Sequence, residues 1–267
     1  GSEARLAAIR DVDTLIVVLA AFGGGVPQKD LSSFQEDLAL ADLEIISNRI
    51  GRLEESIKKP RPDRDEQKAE LALLQTMQQQ IEEGKSLREL DISADDEKQV
   101  RSFQLLSLKP LLAIVNTVDD EAEPERFQSV GGDSLNVLPV PIGLEAELAQ
   151  MEPDEAAAFR EEMGVGSYDR QHLVNSIMNA SGQMLFFTVG EKEVRTWMFF
   201  QGGTAVEAAD CIHSDLARGF IRAEIITVDD LVRLGSEREV KAAGLARNEM
   251  KDYVVQDGDC LNIKFSV

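Results

Sequence analysis

Short, continuous apolar runs in the first half of the chain predict strands. Residues 12–20 are aliphatic or β-branched except for Asp13, a composition typical of a strand buried on both faces. Three glycines at positions 23–25 and Pro27 then predict a turn. Further strands are predicted over residues 110–116 and 135–142, and helices near residues 144–151, 153–163 and 169–180.

Between the first two strands, residues 31–102 have a helical and polar pattern. Apolar residues recur at alternating intervals of three and four, which predicts a narrow helix–helix seam. The first seam consists of Leu43, Ile46, Ile50, Leu53 and Ile57. The second consists of Leu71, Leu74 and Ile81, with Gln78 where an apolar residue is expected. Pro60 separates the two helices, so we expect an antiparallel helical hairpin, here called the arm, inserted into a doubly wound α/β domain.

From about residue 183 the pattern changes to short strands. Residues 185–189 and 194–200 are rich in aromatic and β-branched residues and predict a hairpin. Thr204 is placed to cap a helix through Ile212, and a strand follows over residues 220–228. Residues 253–265 are predicted to hold two short strands around Asp257-Gly258-Asp259. The order strand, strand, helix, strand, strand, strand predicts a β-grasp fold.

The amino-acid composition limits the kinds of partner that this chain is expected to bind. The 28 Lys and Arg residues against 49 Asp and Glu residues give a net charge of −21, which disfavours general binding to DNA or RNA phosphates. No run of 18 apolar residues and no signal-peptide pattern occurs, so we expect no membrane contact and a cytoplasmic location. Cys211 and Cys260 lack CxxC spacing and a disulfide framework, so we expect two buried structural thiols in a reducing compartment.

Several segments of the last third carry a specific resemblance. They are Val194-Arg-Thr-Trp-Met, Gly202-Gly-Thr-Ala-Val-Glu-Ala-Ala, Ile212-His-Ser-Asp, Gly219-Phe-Ile-Arg-Ala-Glu, Lys241-Ala-Ala-Gly and Lys251-Asp-Tyr-Val-Val-Gln-Asp-Gly-Asp. In this order they resemble the C-terminal TGS domain of the Obg-like ATPases, the YchF group of P-loop NTPases.

Upstream segments extend the resemblance over nearly the whole chain. They are Ile9-Arg-Asp-Val-Asp, Glu36-Asp-Leu-Ala-Leu-Ala-Asp-Leu-Glu, Glu82-Glu-Gly-Lys and Phe103-Gln-Leu-Leu-Ser-Leu-Lys-Pro. The resemblance implies a Ras-like nucleotide-binding domain (residues 1–30 and 103–182), interrupted by a coiled-coil arm (31–102) and followed by a TGS β-grasp domain (183–267). It also implies a cytoplasmic protein that hydrolyses ATP or GTP and is associated with ribosomes and stress regulation.

The phosphate-binding part of that family is expected to be missing. A P-loop, G-x-x-x-x-G-K-[ST], wraps phosphates with backbone amides and neutralises them with its Lys. The one Gly-Lys-Ser here, Gly84-Lys85-Ser86, has Gln79 at the position of the first Gly and follows a helix. We interpret it as a helix end. No D-x-x-G follows a strand, and in full-length relatives both motifs lie upstream of the stretch that matches Ile9 onward, so we expect this chain to begin after them.

A base-reading motif is present in altered form. The segment Asn116-Thr-Val-Asp119 lies at the end of a predicted strand. At this position the YchF group carries N-x-x-E and other GTPases carry N-K-x-D. The resemblance therefore implies that Asn116 and Asp119 face the nucleobase. The alternative is an ordinary turn in which both side chains cap backbone groups. The loop that supports the base should fall at residues 141–144, which lack the family pattern.

Candidate partner-binding residues lie in the predicted TGS domain. His213 follows its helix, and Arg218 and Arg222 flank Gly219-Phe220-Ile221 in a module whose charge is only −4. Arg suits phosphate and stacking contacts. The alternatives are a helix-end hydrogen bond for His213, and surface ion pairs of Arg218 with Asp215 and of Arg222 with Glu224.

Two classes of function remain open. In the first, the chain is the rear portion of an Obg-like ATPase that acts in translation or stress. The family is nucleotide-dependent, but this chain alone would be catalytically silent and would bind no cofactor of its own. The resemblance implies Mg-ATP or Mg-GTP for a complete member. The other is a P-loop-less interaction module that docks ribosomes, RNA or a protein partner through the TGS domain and the arm. A P-loop upstream of Glu3 in the native reading frame would favour the first.

Overall fold

A computed structural model describes residues 8–60, 62–119, 121, 123–132, 135–164, 168–190 and 193–266. The chain forms two compact units, residues 1–173 and residues 174–267. Both are mixed α/β structures: the first contains a parallel sheet and the second a mixed sheet.

The sheet of the first unit has three parallel strands in the order β1-β2-β3. These are β1 (Leu15–Ala20), β2 (Leu111–Asn116) and β3 (Val137–Val140). Each lies within its predicted range. Strands β1 and β2 pair in parallel although residues 21–110 separate them in the sequence.

Strand β1 differs from its prediction in burial. Leu15 and Leu19 are 6% and 3% exposed, whereas Ile16 and Val18 are 43% and 57% exposed. The prediction of a strand buried on both faces was therefore wrong for β1. Side chains alternate across a strand, and at this edge of the sheet the described residues cover one face only. The central strand β2 is buried from Leu111 to Val115, as predicted.

The predicted turn after β1 is confirmed, and one glycine makes it feasible. A Cβ added to Gly25 would lie 2.3 Å from the carbonyl oxygen of Ala20, so any larger residue would push the chain away from the strand end. Pro27 then begins the first long helix, where its missing N–H costs no hydrogen bond.

Two long helices follow, α1 (Pro27–Ile57) and α2 (Arg64–Glu82). The first half of α1 packs on the sheet through Leu31 and Leu38. The second half packs against α2, and the buried residues of this seam are Ile46, Ile50, Leu53, Leu74, Met77 and Ile81. The seam predicted for α1 is thus confirmed.

The seam of α2 contains one residue that the sequence pattern misplaced. Met77 is fully buried, while Gln78 is only half-buried. The buried residue after Leu74 is therefore three positions along the helix, at Met77, and not four positions along, at Gln78, as expected. The end of α2 agrees with the prediction for Gly84: its φ is +72° and its N–H donates to the carbonyl of Ile81 at 2.9 Å, as in a helix C-terminus.

Asp42 connects three distant segments where the arm meets the sheet. Its carboxylate is completely buried and accepts four hydrogen bonds. The donors are Arg10 Nη1 (2.9 Å), Leu106 N (3.0 Å), Ser107 N (2.7 Å) and Ser107 Oγ (2.5 Å). These residues lie before β1, within α1 and just before β2. They belong to three of the segments quoted in the sequence analysis, at residues 9–13, 36–44 and 103–110.

The remaining helices of the first unit are short. They are α3 (Ala94–Val100), α4 (Ile142–Leu148), α5 (Pro153–Met163) and the start of α6 (Arg170–Ala180). The last three agree with the helices predicted near those positions. Among the described residues, no helix combines the length and the apolar character needed to cross a membrane.

The second unit contains a five-stranded mixed sheet in the order β5-β4-β8-β6-β7. Its strands are β4 (Gln183–Val189), β5 (Val194–Phe200), β6 (Phe220–Thr227), β7 (Arg247–Glu249) and β8 (Asp259–Phe265). Its own helices are α7 (Ala205–Ile212), α8 (Ser214–Arg218), α9 (Val228–Leu234) and α10 (Glu237–Ala242). The predicted β4–β5 hairpin is confirmed; residues 191–192 of its connection lie outside the described residues.

Three details of the second unit concern predictions. The expectation of two buried thiols was wrong for Cys211, which is exposed, whereas Cys260 is buried. The prediction of two strands within residues 253–265 was wrong: that range holds β8 and an isolated bridge at Val254, and the fourth strand is β7. β7 is short and polar, and its pairing with β6 rather than its composition makes it a strand. Thr204 precedes α7 as predicted, where its N–H and hydroxyl donate to Glu207 at 2.8 Å and 2.6 Å.

Candidate nucleotide-base site

A cavity of about 550 Å³ opens where the three strands of the first unit end. Its lining residues are Phe22, Asn116, Thr117, Val118, Asp119, Gly143, Leu144 and Met163. Phe22 follows β1, the segment 116–119 ends β2, and Gly143 follows β3. The carboxyl ends of parallel strands are the usual place for ligands in open α/β sheets, and the volume suits a nucleoside-sized ligand.

Asn116 holds the end of β2 against the start of α4. Its Oδ1 accepts a hydrogen bond from the backbone N–H of Ile142 at 3.1 Å. This contact agrees with the turn-capping alternative for Asn116, and it also fixes the carboxamide at the cavity wall. The structure thus gives Asn116 a positioning role that the sequence motif alone does not specify.

Asp119 is exposed at the same wall. A Cβ built on Gly143 would lie 3.5 Å from Asp119 Oδ1, so the carboxylate lies beside the first turn of α4. The structure therefore brings Asn116 and Asp119 together with Gly143 and Leu144. The expectation of a loop at residues 141–144 was wrong, because Ile142 already begins α4.

Three apolar side chains complete the walls: Phe22, Val118 and Met163 are 48%, 40% and 55% exposed. Partly exposed apolar side chains around a few polar groups are typical of a small-molecule pocket. Sequence reasoning missed Phe22 and Met163. Phe22 could have been found because it follows the carboxyl end of a parallel strand, but Met163, at the end of α5, gave no local signal.

A second cavity of about 340 Å³ adjoins the first and shares Thr117, Val118, Asp119 and Leu144 with it. Tyr168 lies on its wall. Burial raises the pKa of Tyr168, and the nearby carboxylates of Asp169 and Glu145 raise it further. The phenol stays protonated at neutral pH and can act as a hydrogen-bond donor to a ligand that extends this way.

In the second unit, His213 and Arg218 are engaged locally. His213 Nδ1 accepts from the N–H of Asp215 at 3.1 Å, the helix-end hydrogen bond named as its alternative role. Arg218 Nη1 lies 3.2 Å from Asp215 Oδ1, and both side chains are mostly exposed. Exposed pairs of this kind contribute little to stability.

Arg222 has different surroundings from those expected. Glu224, its expected partner, instead pairs with Lys241 at 2.9 Å. Arg222 lies opposite Lys264 in the pairing of β6 with β8, and both are exposed. Within the described part of the chain, neither has a carboxylate within 4 Å. Like charges opposite each other destabilise a sheet.

Among the described residues, no group of three His, Cys, Asp or Glu side chains could hold a metal ion.

Comparison with known proteins tests the resemblance directly. The chain is 34% identical over 279 residues to the "Ribosome-binding ATPase YchF" of Bacillus subtilis (strain 168), an alignment that covers 98% of this chain and 75% of the relative.

The chain belongs to the YchF/Obg-like ATPase family.

Other similarities agree with this membership. The "Obg-like ATPase 1" of Oryza sativa subsp. japonica is 36% identical, with 99% of this chain and 71% of the relative covered. The model of the family "YchF-GTPase_C", described as a protein of unknown function (DUF933), matches residues 184–266. The structure of the Schizosaccharomyces pombe YchF GTPase superposes with a TM-score of 0.85 at 25% identity, covering 98% of this chain and 74% of that one. The chain therefore spans about three quarters of the length of these YchF relatives.

Proposed function

We propose that this chain is a cytoplasmic, YchF-type nucleotide-dependent regulator of translation or stress, in which the cavity at residues 116–119 receives the nucleobase. Residues 1–30 and 103–182 form an incomplete P-loop-like domain, residues 31–102 an antiparallel helical arm, and residues 183–267 a TGS β-grasp domain. The observation that carries the proposal is the convergence of Asn116, Asp119 and the first turn of α4, at Gly143 and Leu144, on one cavity.

Base contact by itself gives weak affinity. The 267 residues contain no G-x-x-x-x-G-K-[ST] and no D-x-x-G after a strand, and in P-loop enzymes those groups hold the phosphates and Mg²⁺. We therefore propose that the chain alone is catalytically silent. Calorimetry with Mg-ATP and with Mg-GTP should show no binding in the micromolar range, and micromolar or tighter binding would overturn this part of the proposal.

The base site is tested separately by ligand-detected NMR with millimolar ATP and GTP. Asp119→Asn keeps the size of the side chain and should abolish the weak signal from the base protons. Asp154→Asn, at an exposed position at the start of α5 that does not line the cavity, removes the same charge and should leave the signal unchanged. Asn116→Ala should also abolish it, but this change breaks the contact with Ile142. An unaltered base signal in Asp119→Asn refutes the site.

A second function, docking to the ribosome, is favoured by the Arg222–Lys264 pair. The B. subtilis relative is named a ribosome-binding ATPase, and Arg forms strong contacts with phosphate. Co-sedimentation with purified bacterial and eukaryotic ribosomes should weaken for Arg222→Glu. Arg218→Glu should have a smaller effect because that side chain is already paired. Equal recovery of both variants and the wild type would exclude this docking surface.

A further inference from the structure

One edge of the second unit's sheet ends in a strand whose outer side has no strand partner among the described residues. β5 is the terminal strand of this sheet, and among the described strands it pairs with β4 alone. At the two ends of this ladder, Gln201 donates its N–H to Gly182 and Gly190 donates its N–H to Glu193. Hydrogen-bonded pairs alternate along an antiparallel ladder, so the odd-numbered residues of β5 bond to β4 and the even-numbered residues direct their N–H and C=O groups outward. The outward residues are Val194, Thr196, Met198 and Phe200.

The outward backbone groups are largely unused. In the described part of the chain, the N–H groups of Thr196 and Met198 have no acceptor. The carbonyl of Met198 meets the thiol of Cys211 at 3.8 Å, and a thiol is a weak donor. Natural edge strands are commonly blocked by proline, a bulge or charged side chains. β5 contains no proline, its pairing with β4 is continuous, and its one charged residue, Arg195, projects from the face opposite to the outward residues. The edge is therefore open to a further strand.

The side chains of the outward residues form an apolar strip along this edge. They all project from one face of the sheet because side chains alternate along a strand. Val194, Met198 and Phe200 are 67%, 60% and 50% exposed. A strand that hydrogen-bonds to the edge would cover this strip with alternate side chains of its own. The edge therefore favours a segment with an apolar residue at every second position.

A cavity of about 470 Å³ beside the same edge adds a charge preference. β5 supplies its apolar wall, with Met198, Phe199 and Phe200, and α7 supplies Glu207 and Asp210. None of the described residues that line the cavity is Lys, Arg or His. The two carboxylates repel phosphates and acidic segments and attract a Lys or Arg side chain.

We propose that the free edge of β5 binds an extended, basic segment of a partner protein, which adds a strand to the five-stranded sheet. Backbone hydrogen bonds to Thr196 and Met198 hold the segment, and its alternate apolar side chains cover the apolar strip. A Lys or Arg near its end pairs with Glu207 and Asp210. A second copy of this chain fits less well, because each copy carries a net charge of −21. The inference uses neither the base site nor Arg222, so it stands apart from both proposed functions.

The probe is a fluorescein-labelled peptide of about ten residues, in which Val and Thr alternate and a Lys-Arg pair occupies one end. A second probe has the pair at the other end, because the added strand can run in either direction, and a third has Asp-Glu in place of Lys-Arg. Anisotropy with the full chain measures the binding of each probe. At least one basic probe should bind, and the acidic probe should bind at least about tenfold more weakly because Glu207 and Asp210 repel it.

Thr196→Pro tests the hydrogen bonds at the edge. Proline removes the outward N–H and costs no bond to β4, because that N–H faces away from the ladder. The affinity for the basic probe should fall at least about tenfold. Thr196→Val keeps the N–H and suits a strand, so its affinity should change by less than about threefold. The urea transition monitored by Trp197 fluorescence checks that both variants fold.

Asp210→Lys tests the charged wall of the cavity without changing the strand. Asp210 is exposed on α7, and reversal of its charge should weaken the basic probe at least about fivefold and strengthen the acidic one. The matched control is Asp252→Lys, at an exposed position of the same unit that does not line the cavity. It should change both affinities by less than about twofold.

Amide hydrogen exchange separates strand addition from simple charge attraction. With saturating basic probe, exchange of the Thr196 and Met198 amides should slow at least about tenfold. The Arg195 amide already bonds to β4 and should change little. The proposal is overturned by binding without this protection, by equal losses in Thr196→Pro and Thr196→Val, by equal affinity for acidic and basic probes, or by no binding of either basic probe. A wild-type dimer that Thr196→Pro dissociates would also overturn it, because a second copy would then occupy the edge.

Discussion

Replacement of Asp42 should destabilise the first unit selectively. In Asp42→Asn, one of the two oxygens becomes an NH₂ group. In the wild type, each carboxylate oxygen accepts from two donors. Arg10 and Leu106 donate to Oδ1, and the N–H and hydroxyl of Ser107 donate to Oδ2. An NH₂ at the Oδ1 position faces the donors of Arg10 and Leu106. At the Oδ2 position it faces the N–H of Ser107, while the Ser107 hydroxyl can turn to accept from it. In both orientations the Arg10 guanidinium, whose side chain is 15% exposed, loses its counter-charge.

The magnitude follows from these contacts. A buried donor without an acceptor costs about 1–3 kcal/mol, and removal of one partner from a buried ion pair costs about 3–5 kcal/mol. We expect a loss of about 3–5 kcal/mol in the free energy of unfolding of the first unit. For a unit of this size that is a fall in Tm of roughly 10 °C.

Two optical signals separate the units in one urea titration. Circular dichroism at 222 nm is dominated by α1 and α2, whereas fluorescence reports the chain's single tryptophan, Trp197, in the second unit. In Asp42→Asn, the urea midpoint measured by circular dichroism should fall, whereas the midpoint measured by fluorescence should stay unchanged. Glu44→Gln, an exposed neighbour on α1, is the matched control. A loss below about 1 kcal/mol, or one equal to that of the control, would refute the reasoning that the network anchors the arm.

Three further predictions concern other parts of the chain. Ile50→Asp places a charge in the buried seam and should melt the arm while the fluorescence transition persists; loss of both transitions would contradict a separate arm. Folded protein should react with one equivalent of a thiol reagent at pH 8, at exposed Cys211, and with two in denaturant, because burial raises the pKa of Cys260 to about 11. Hydrogen bonds from Thr204 lower the pKa of Glu207 in the folded state. That carboxylate therefore stabilises the fold above its ordinary pKa of 4.5, and this contribution is lost as the pH falls through the lower pKa of the folded state. In Glu207→Gln, the free energy of unfolding monitored by fluorescence should therefore depend less on pH in that range.

Local patterns determined much of this structure. The spacing from Ile46 to Leu53 follows the helical repeat, so the seam of α1 could be read directly. The apolar run that ends at Asn116 predicted the central strand, because a strand covered on both faces needs no alternation. The Asn116-to-Asp119 spacing likewise located two residues of the cavity wall.

Other features depended on packing between distant segments. Ile16 and Val18 have the composition of buried residues, but their exposure is set by what covers the second face of an edge strand. β7 exists because β6 offers it a partner, and Met77 replaces Gln78 in the seam because α1 fixes which side of α2 is buried. Asp42 looks like an ordinary helix carboxylate in the sequence. Arg10 supplies one donor from the segment before β1, and the return of the chain at Leu106 and Ser107 supplies the other three. Contacts across 32 to 65 residues leave no local pattern from which they could be predicted.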